Sequence, residues 1–413
     1  MANIIKAIRS GHPPTLFSAF LYFDVSFMIW VLMGAVGIFI SKDLSLSPFQ
    51  KGILVAIPLL GGSIFRVIVG VLVDRFGPKK VGLVTLSILI IPLLAGWLFA
   101  TTFIHLLFVG LLLGVAGASF VVALPLASRC YPPEHQGIAM GIAGSGNLGS
   151  VIAMLICPFL ANLYGWHAVF GLACIPLLIT LIVFALLARD RGVLPPPTSL
   201  SAYWVFLKQR ELWWFNFYYS VTFGGFVGLA SFLSIFLNDQ YNISPVVAGI
   251  LTAICVFSGS FFRPFGGYLA DRIGSGAKVL IVFYFIATVL FSLIAFLPPP
   301  VIVIPLFFLG MLALGMGNGA IFQWIPQKFP NDIGLITGIV GAFGGLGGFM
   351  LPVLLGAMKG LTGSYGSGFF LGALVTLVCL LSLIFRIQAA KKADSLRAQQ
   401  DDGRVRVGVS FGR

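Results

Sequence analysis

The sequence predicts an all-α membrane protein of twelve transmembrane helices, arranged as two six-helix bundles related by pseudo-twofold symmetry. Three observations predict it. Hydrophobic residues fill 59% of the 413 positions and charged ones only 9%, against roughly 25% charged in soluble domains. Apolar runs of about 20 residues recur along the whole chain, each long enough to cross a hydrocarbon core of about 30 Å. One stretch is also written twice.

The runs fall near 16–40, 50–73, 80–99, 104–128, 136–160, 166–187, 212–237, 246–270, 277–297, 301–325, 333–357 and 366–387. Residues 1–15 precede them. The longest polar break, 188–211, carries Arg189, Asp190, Arg191, three consecutive prolines from Pro195, Lys208, Arg210 and Glu211. It divides an N-terminal bundle, 16–187, from a C-terminal one, 212–387, and residues 388–413 form a basic tail.

The repeat confirms the division. Gly62, Arg66, Gly70, Asp74, Arg75 and Gly77 return as Gly259, Arg263, Gly267, Asp271, Arg272 and Gly274, each 197 residues later. Gly137, Gly141 and Gly144 return at the same offset as Gly334, Gly338 and Gly341. Two halves around a midplane site is a recurring plan among transporters. Arginine inside an apolar run is costly in lipid, so one at an equivalent place in each half points to a shared task. Each lies eight residues before its aspartate, about 12 Å along a helix from the membrane end. Both guanidinium groups therefore reach toward mid-bilayer, where a small anion held between the halves is the expected cargo. Asp24 is the one carboxylate inside a run, so at most one arginine can be neutralised by the protein itself.

The net charge of +13 does not indicate nucleic acid. With the N-terminus inside, 20 of the 25 lysines and arginines fall on the cytoplasmic side, three (Lys42, Lys51, Lys359) outside, and two in the membrane. That asymmetry places both termini in the cytoplasm of a multi-pass inner-membrane protein. The tail cluster from Arg386 to Arg406 is read as a solvated end, with contact to anionic headgroups as the other reading. Five cysteines without CxxC spacing imply neither disulfides nor a metal site, and no cofactor is expected. No cluster of His, Cys, Asp or Glu lies in any run, which argues against an enzyme. A monomer is expected. The Asp74-Arg75 and Asp271-Arg272 pairs, at equivalent helix ends, are read as a gating latch.

Gly70-x-Leu-x-Asp74-Arg75-x-Gly77-x-Lys79-Lys80 resembles the loop 2–3 motif of the major facilitator superfamily. Gly141-Ile-Ala-Gly144-Ser-Gly146-Asn147-Leu-Gly149 is similar to the nitrate signature of its nitrate/nitrite porter family. So is Gly341-Ala-Phe-Gly344-Gly345-Leu-Gly347-Gly348. The stretch around Phe20, Phe23 and Asp24 looks like bacterial assimilatory members. The resemblance implies a nitrate or nitrite transporter with the anion between Arg66 and Arg263, the signature Asn147 and Tyr219 nearby, and Phe120 and Phe322 as flat walls. Arginine suits nitrate because it stays charged and its planar fork meets two oxygens at once. The signature glycines (Gly144, Gly146, Gly149, Gly341, Gly344, Gly347) are read as helix-packing positions.

Uptake of an anion into a cell that is negative inside is uphill by about 2.3 kcal/mol per 100 mV. It requires co-transported protons or exchange against nitrite, and the sequence leaves both open. Asp24 is a proton carrier in one reading and a structural partner, of Arg66 or a polar neighbour, in the other. Two alternatives to nitrate transport stand: a carrier of another small anion such as formate or oxalate, and a nitrate receptor with little flux.

Overall fold

Apolar runs of this length fold as helices because lipid offers backbone N–H and C=O groups no partner outside their own segment. The computed structural model describes residues 8–190, 205–329 and 333–410. Eleven helices among them are long and apolar enough to cross a membrane. Span two is Pro48–Phe76, span three Pro78–Leu98 and span six Trp166–Leu187. Span four runs Phe103–Gly117 and Phe120–Ser128, and span five Gln136–Gly144, Ser145–Leu148 and Gly149–Tyr164. The second half comprises span seven (Arg210–Tyr241), eight (Pro245–Phe261 and Arg263–Ile273), nine (Gly276–Ala295), ten (Pro300–Lys328), eleven (Ile333–Thr362) and twelve (Gly366–Ser410). Span one completes the twelve as three pieces, Pro13–Trp30, Leu32–Ala35 and Gly37–Asp43.

The boundaries follow local chemistry. Ser47 and Gln50 form a reciprocal capping box ahead of Pro48, which sits where a missing N–H is harmless. Gly77 ends span two at φ 87°, and the Asp190 carboxylate accepts the Lys79 N–H at 3.1 Å, tying the end of span six to the start of span three. The centre of the expected linker lies outside the described residues. Span twelve continues through the segment expected as a solvated tail.

Three departures from a continuous helix matter. Span one breaks at Val31 and Val36. Span five passes through a 3₁₀ turn at Ser145–Leu148, inside its glycine signature. Span eight breaks at Phe262, directly before Arg263. The last has a cause in sequence: Pro264 follows Arg263, whereas Val67 follows Arg66, and proline cannot donate the bond that would keep the helix continuous.

The halves meet tightly at one end only. A Cβ on Gly52 would strike the carbonyl of Pro352, and one on Gly356 that of Pro48. Gly345 sits 2.5 Å, by the same measure, from Ser63 Oγ, and Gly34 likewise from the Ser231 carbonyl. Glycine is needed there because helix backbones of opposite halves touch. The Lys51 ammonium meets both oxygens of Asp239 at 2.8 Å across the halves, and Tyr365 donates to the same carboxylate at 2.9 Å. Toward the end that carries Asp74 and Asp271, contact gives way. Nothing lies within 4 Å of a Cβ placed on Gly141 or Gly338.

The Lys51–Asp239 pair is about one-fifth exposed, so it contributes on the order of 1 kcal/mol or less. That still shifts a two-state population about fivefold. Reversing the charge in Lys51→Asp is expected to lengthen the distance between spin labels on Phe49 and Gly360, exposed positions of spans two and eleven. The exchange Lys51→Asp with Asp239→Lys is expected to restore it. An unchanged distance in the single variant removes the pair as a clasp.

Candidate functional site

Each arginine projects from a helix that glycines bring close to its neighbours. Gly61 lies against Gly114 of span four, and Gly315 of span ten against Gly259 of span eight. Arg66 is 2% exposed. Its Nε donates to the Gly117 carbonyl at 2.8 Å, and its Nη1 to the Gly341 carbonyl of the opposite half at 2.5 Å. Its guanidinium carbon lies 5.1 Å from the ring centres of both Trp30 and Phe223. Arg263 is half-buried and sits 5.7 Å from the Phe120 ring and 5.4 Å from that of Phe322. Tyr219, 2% exposed, shares a side-chain hydrogen bond with Arg263 and lies within electrostatic range of Arg66.

The rings around these cations form a closed circuit. Phe23 meets Phe27 at 4.7 Å and Phe27 meets Trp30 at 5.0 Å. Trp30 meets Phe223 at 6.3 Å, and Phe223 stacks on Tyr219 at 5.1 Å. Tyr219 meets Phe322 at 5.0 Å, Phe322 meets Phe120 at 5.6 Å, and Phe120 returns to Phe23 at 5.8 Å. The circuit crosses between halves twice, at Trp30–Phe223 and at Phe120–Phe322, and each crossing carries one arginine. Ring faces attract a cation by about 0.5–2 kcal/mol each without cancelling its charge. Among the described residues no carboxylate pairs with either guanidinium: the ion pairs there are Lys51–Asp239 and Arg386–Glu211. The centre is therefore doubly positive and lined by aromatic rings, and such a centre attracts an anion.

Sequence reasoning singled out Phe120, Phe322 and Tyr219 but passed over Trp30, Phe223, Phe23 and Phe27. Their spacing carried the signal. Phe23, Phe27 and Trp30 stand at i, i+4 and i+7, and Tyr219 and Phe223 at i and i+4, so each set lies on one helix face. Trp30 is fixed by a 2.7 Å bond from its indole N–H to the Pro58 carbonyl and fills a slot where Gly62 and Gly117 lack side chains. Among 40 phenylalanines, the spacing alone did not separate this face from core and lipid-facing ones.

The other expected residues divide. Asn147 is 1% exposed on the 3₁₀ turn of span five, which packs against span one and against span eight, and its Oδ1 has no partner. Asp24 is 7% exposed. Of the readings of Asp24, pairing with Arg66 does not form, and Arg66 is taken up by two carbonyls and two rings. Gly146 and Gly149 press on the backbone of span one at Asp24, Gly146 also on the Phe23 side chain, Gly344 on Tyr219 and Gly347 on Ser220. Two signature glycines depart from the packing expectation. A Cβ on Gly144 would meet only Leu124, at 3.8 Å, and Gly341 faces Arg66, to which it offers its carbonyl. At the helix ends Arg75 is exposed beside the Phe76 ring, and Arg272 is exposed. Asp74 is half-buried, and Asp271 accepts from the Gln323 amide at 2.8 Å, a bond within the second half.

Gly149→Ala places a methyl group on the Asp24 carbonyl, an overlap that costs about 1–3 kcal/mol. Gly144→Ala meets open space. The first is expected to lower the thermal midpoint in detergent and the second to leave it unchanged; equal midpoints remove the packing role of the signature.

Residues 18–352 match the model of the Major Facilitator Superfamily. The "Nitrite extrusion protein" of Bacillus subtilis (strain 168) is 32% identical over 371 residues, covering 87% of this chain and 90% of that protein. The "Probable nitrate/nitrite transporter NarK2" of Mycobacterium tuberculosis (strain ATCC 25618 / H37Rv) is 32% identical over 338 residues, covering 81% and 86%. The "Probable nitrate/nitrite antiporter NarK1" of Thermus thermophilus is 31% identical over 398 residues, covering 87% and 88%. Among solved structures, a bacterial homologue of the human lysosomal transporter Spinster, in an inward-facing and occupied conformation, superposes with a TM-score of 0.68 at 20% identity. It covers 91% of this chain and 96% of its own. With its twelve spans, its repeated arginine motif and relatives of this similarity along most of its length, the chain belongs to the major facilitator superfamily and, within it, to the nitrate/nitrite porters.

Proposed function

We propose that the protein carries nitrate and nitrite across the cytoplasmic membrane by alternating access, with Arg66 and Arg263 clamping the anion from opposite halves. The observation that carries this reading is the pair of guanidinium groups at the two ring crossings, neither paired with a carboxylate. An anion supplies the missing negative charge, and flat ring faces favour a flat one. The names of the relatives support nitrate and nitrite as that anion.

The bundles 16–187 and 212–387 rock against each other about this centre, joined by the linker 188–211. Both termini lie in the cytoplasm, as the lysine and arginine bias requires, so the end that has parted faces inward and the Lys51–Asp239 end is the closed outer side. The Asp74-Arg75 and Asp271-Arg272 ends close when the inner side does. Arg66 already bonds the other half through Gly341, while Arg263 keeps most of its donors available. An anion entering from the parted side meets the half-buried Arg263, which Tyr219 bonds, and Asn147 lies on the turn that packs against Pro245–Phe261 of the same span. Protons or counter-transported nitrite supply the energy for inward movement.

Labelled nitrate uptake into proteoliposomes tests the clamp. Arg66→Lys and Arg263→Lys each exchange a two-pronged donor for a point charge, and loss of a charged hydrogen bond of about 1.5–3 kcal/mol predicts about a tenfold or greater fall in uptake at low nitrate. Retained uptake in both variants rejects the clamp. Stronger inhibition by formate or oxalate than by nitrite reassigns the anion.

A further inference from the structure

We infer that Asp24 binds the proton that accompanies the anion, and that the 3₁₀ turn of span five joins the proton site to the anion site. The inference rests on the transport reading above. Among the described residues, every other acidic residue lies at or near a helix end, in a loop, or in the part of the last helix beyond its apolar span. Asp24 sits inside an apolar span, 7% exposed, with Oδ1 lacking any partner. The backbone amide of Gly149 is the group that faces its carboxyl.

No cation reaches it from the helices packed on Pro13–Trp30, which belong to spans one, two, four, five and six. On span two, Arg66 is bound to carbonyls and rings, Lys51 is paired with Asp239, and Asp74 and Arg75 stand at the far end. His105 and His167 open spans four and six, and His167 bonds the Ala100 carbonyl. Cys157 and Cys174 are thiols, and Tyr22 on the same helix bonds Thr85. A lone ionised carboxylate is poorly tolerated among apolar helices; binding a proton makes it neutral and gives it a hydrogen to donate. Asn147 Oδ1, on the turn that packs against this helix, is an acceptor without a donor.

The two sites share a wall. Gly146 and Gly149 press on the backbone of Asp24, Gly146 also faces the Phe23 side chain of the ring circuit, and the same turn touches Pro245–Phe261, the piece of span eight that ends at the break before Arg263. Movement of that turn changes the surroundings of the carboxyl and of the anion together. One proton entering with one anion moves no net charge, so the membrane potential no longer opposes uptake.

The test uses the full chain in proteoliposomes with two assays: nitrate counterflow at equal pH, and nitrate uptake driven by an acid exterior. A step of one pH unit supports about tenfold accumulation at one proton per anion. The wild type is expected to show both. Asp24→Asn is expected to keep counterflow and lose the accumulation, and Asp24→Glu to regain it. Accumulation undiminished in Asp24→Asn overturns the assignment. So does loss of both assays in Asp24→Asn and Asp24→Glu alike, which marks a packing role. A wild type with counterflow but no response to pH is an exchanger, which ends the proton role and leaves nitrate transport standing. A wild type without nitrate flux in either assay ends the transport reading itself.

Discussion

Two positive charges that the protein does not neutralise govern this molecule. Placing an arginine at the centre of a membrane helix costs about 2.5–3.5 kcal/mol on insertion scales, and the described residues pair no carboxylate with either one. The chain answers with neutral partners. Carbonyls of Gly117 and Gly341 hold Arg66, and two rings flank each guanidinium. These lower the penalty but leave the charge in place, and a charge left in place attracts an anion.

Glycine supplies the geometry. Where the halves meet, backbones touch at Gly34, Gly52, Gly345 and Gly356. Around the arginines, Gly62 and Gly117 leave the slot that fixes Trp30. Without a hydrophobic drive between helices in lipid, such close approach is what gives packing its strength. The absence of contact at Gly141 and Gly338 belongs to the same design, because these positions sit where the halves have parted.

The twofold plan is approximate where it matters. Arg66 and Arg263 occupy equivalent sequence positions, yet one is buried and doubly bonded to carbonyls while the other is half-buried at a helix break. Pro264 against Val67 accounts for the break. The remaining difference follows from closure at one end only, which presses span eleven onto Arg66.

The sequence by itself determined that the chain crosses the membrane twelve times, that it is duplicated, and that one arginine from each half reaches the middle. Composition, run length and a repeat suffice for that, since lipid leaves the backbone one solution per run and charge is rare enough to stand out. Tyr219, Phe120 and Phe322 were legible through local motifs. Tertiary structure decided what surrounds the arginines. Trp30 and Phe223 come from different halves, separated by nearly half of the chain, and only folding brings them to one guanidinium. It also decided that Asp24 stands apart from Arg66, that Gly144 packs against almost nothing, and that one end is closed. Those outcomes depend on which helix faces press together, and in a sequence that is apolar on nearly every face, periodicity does not record that choice.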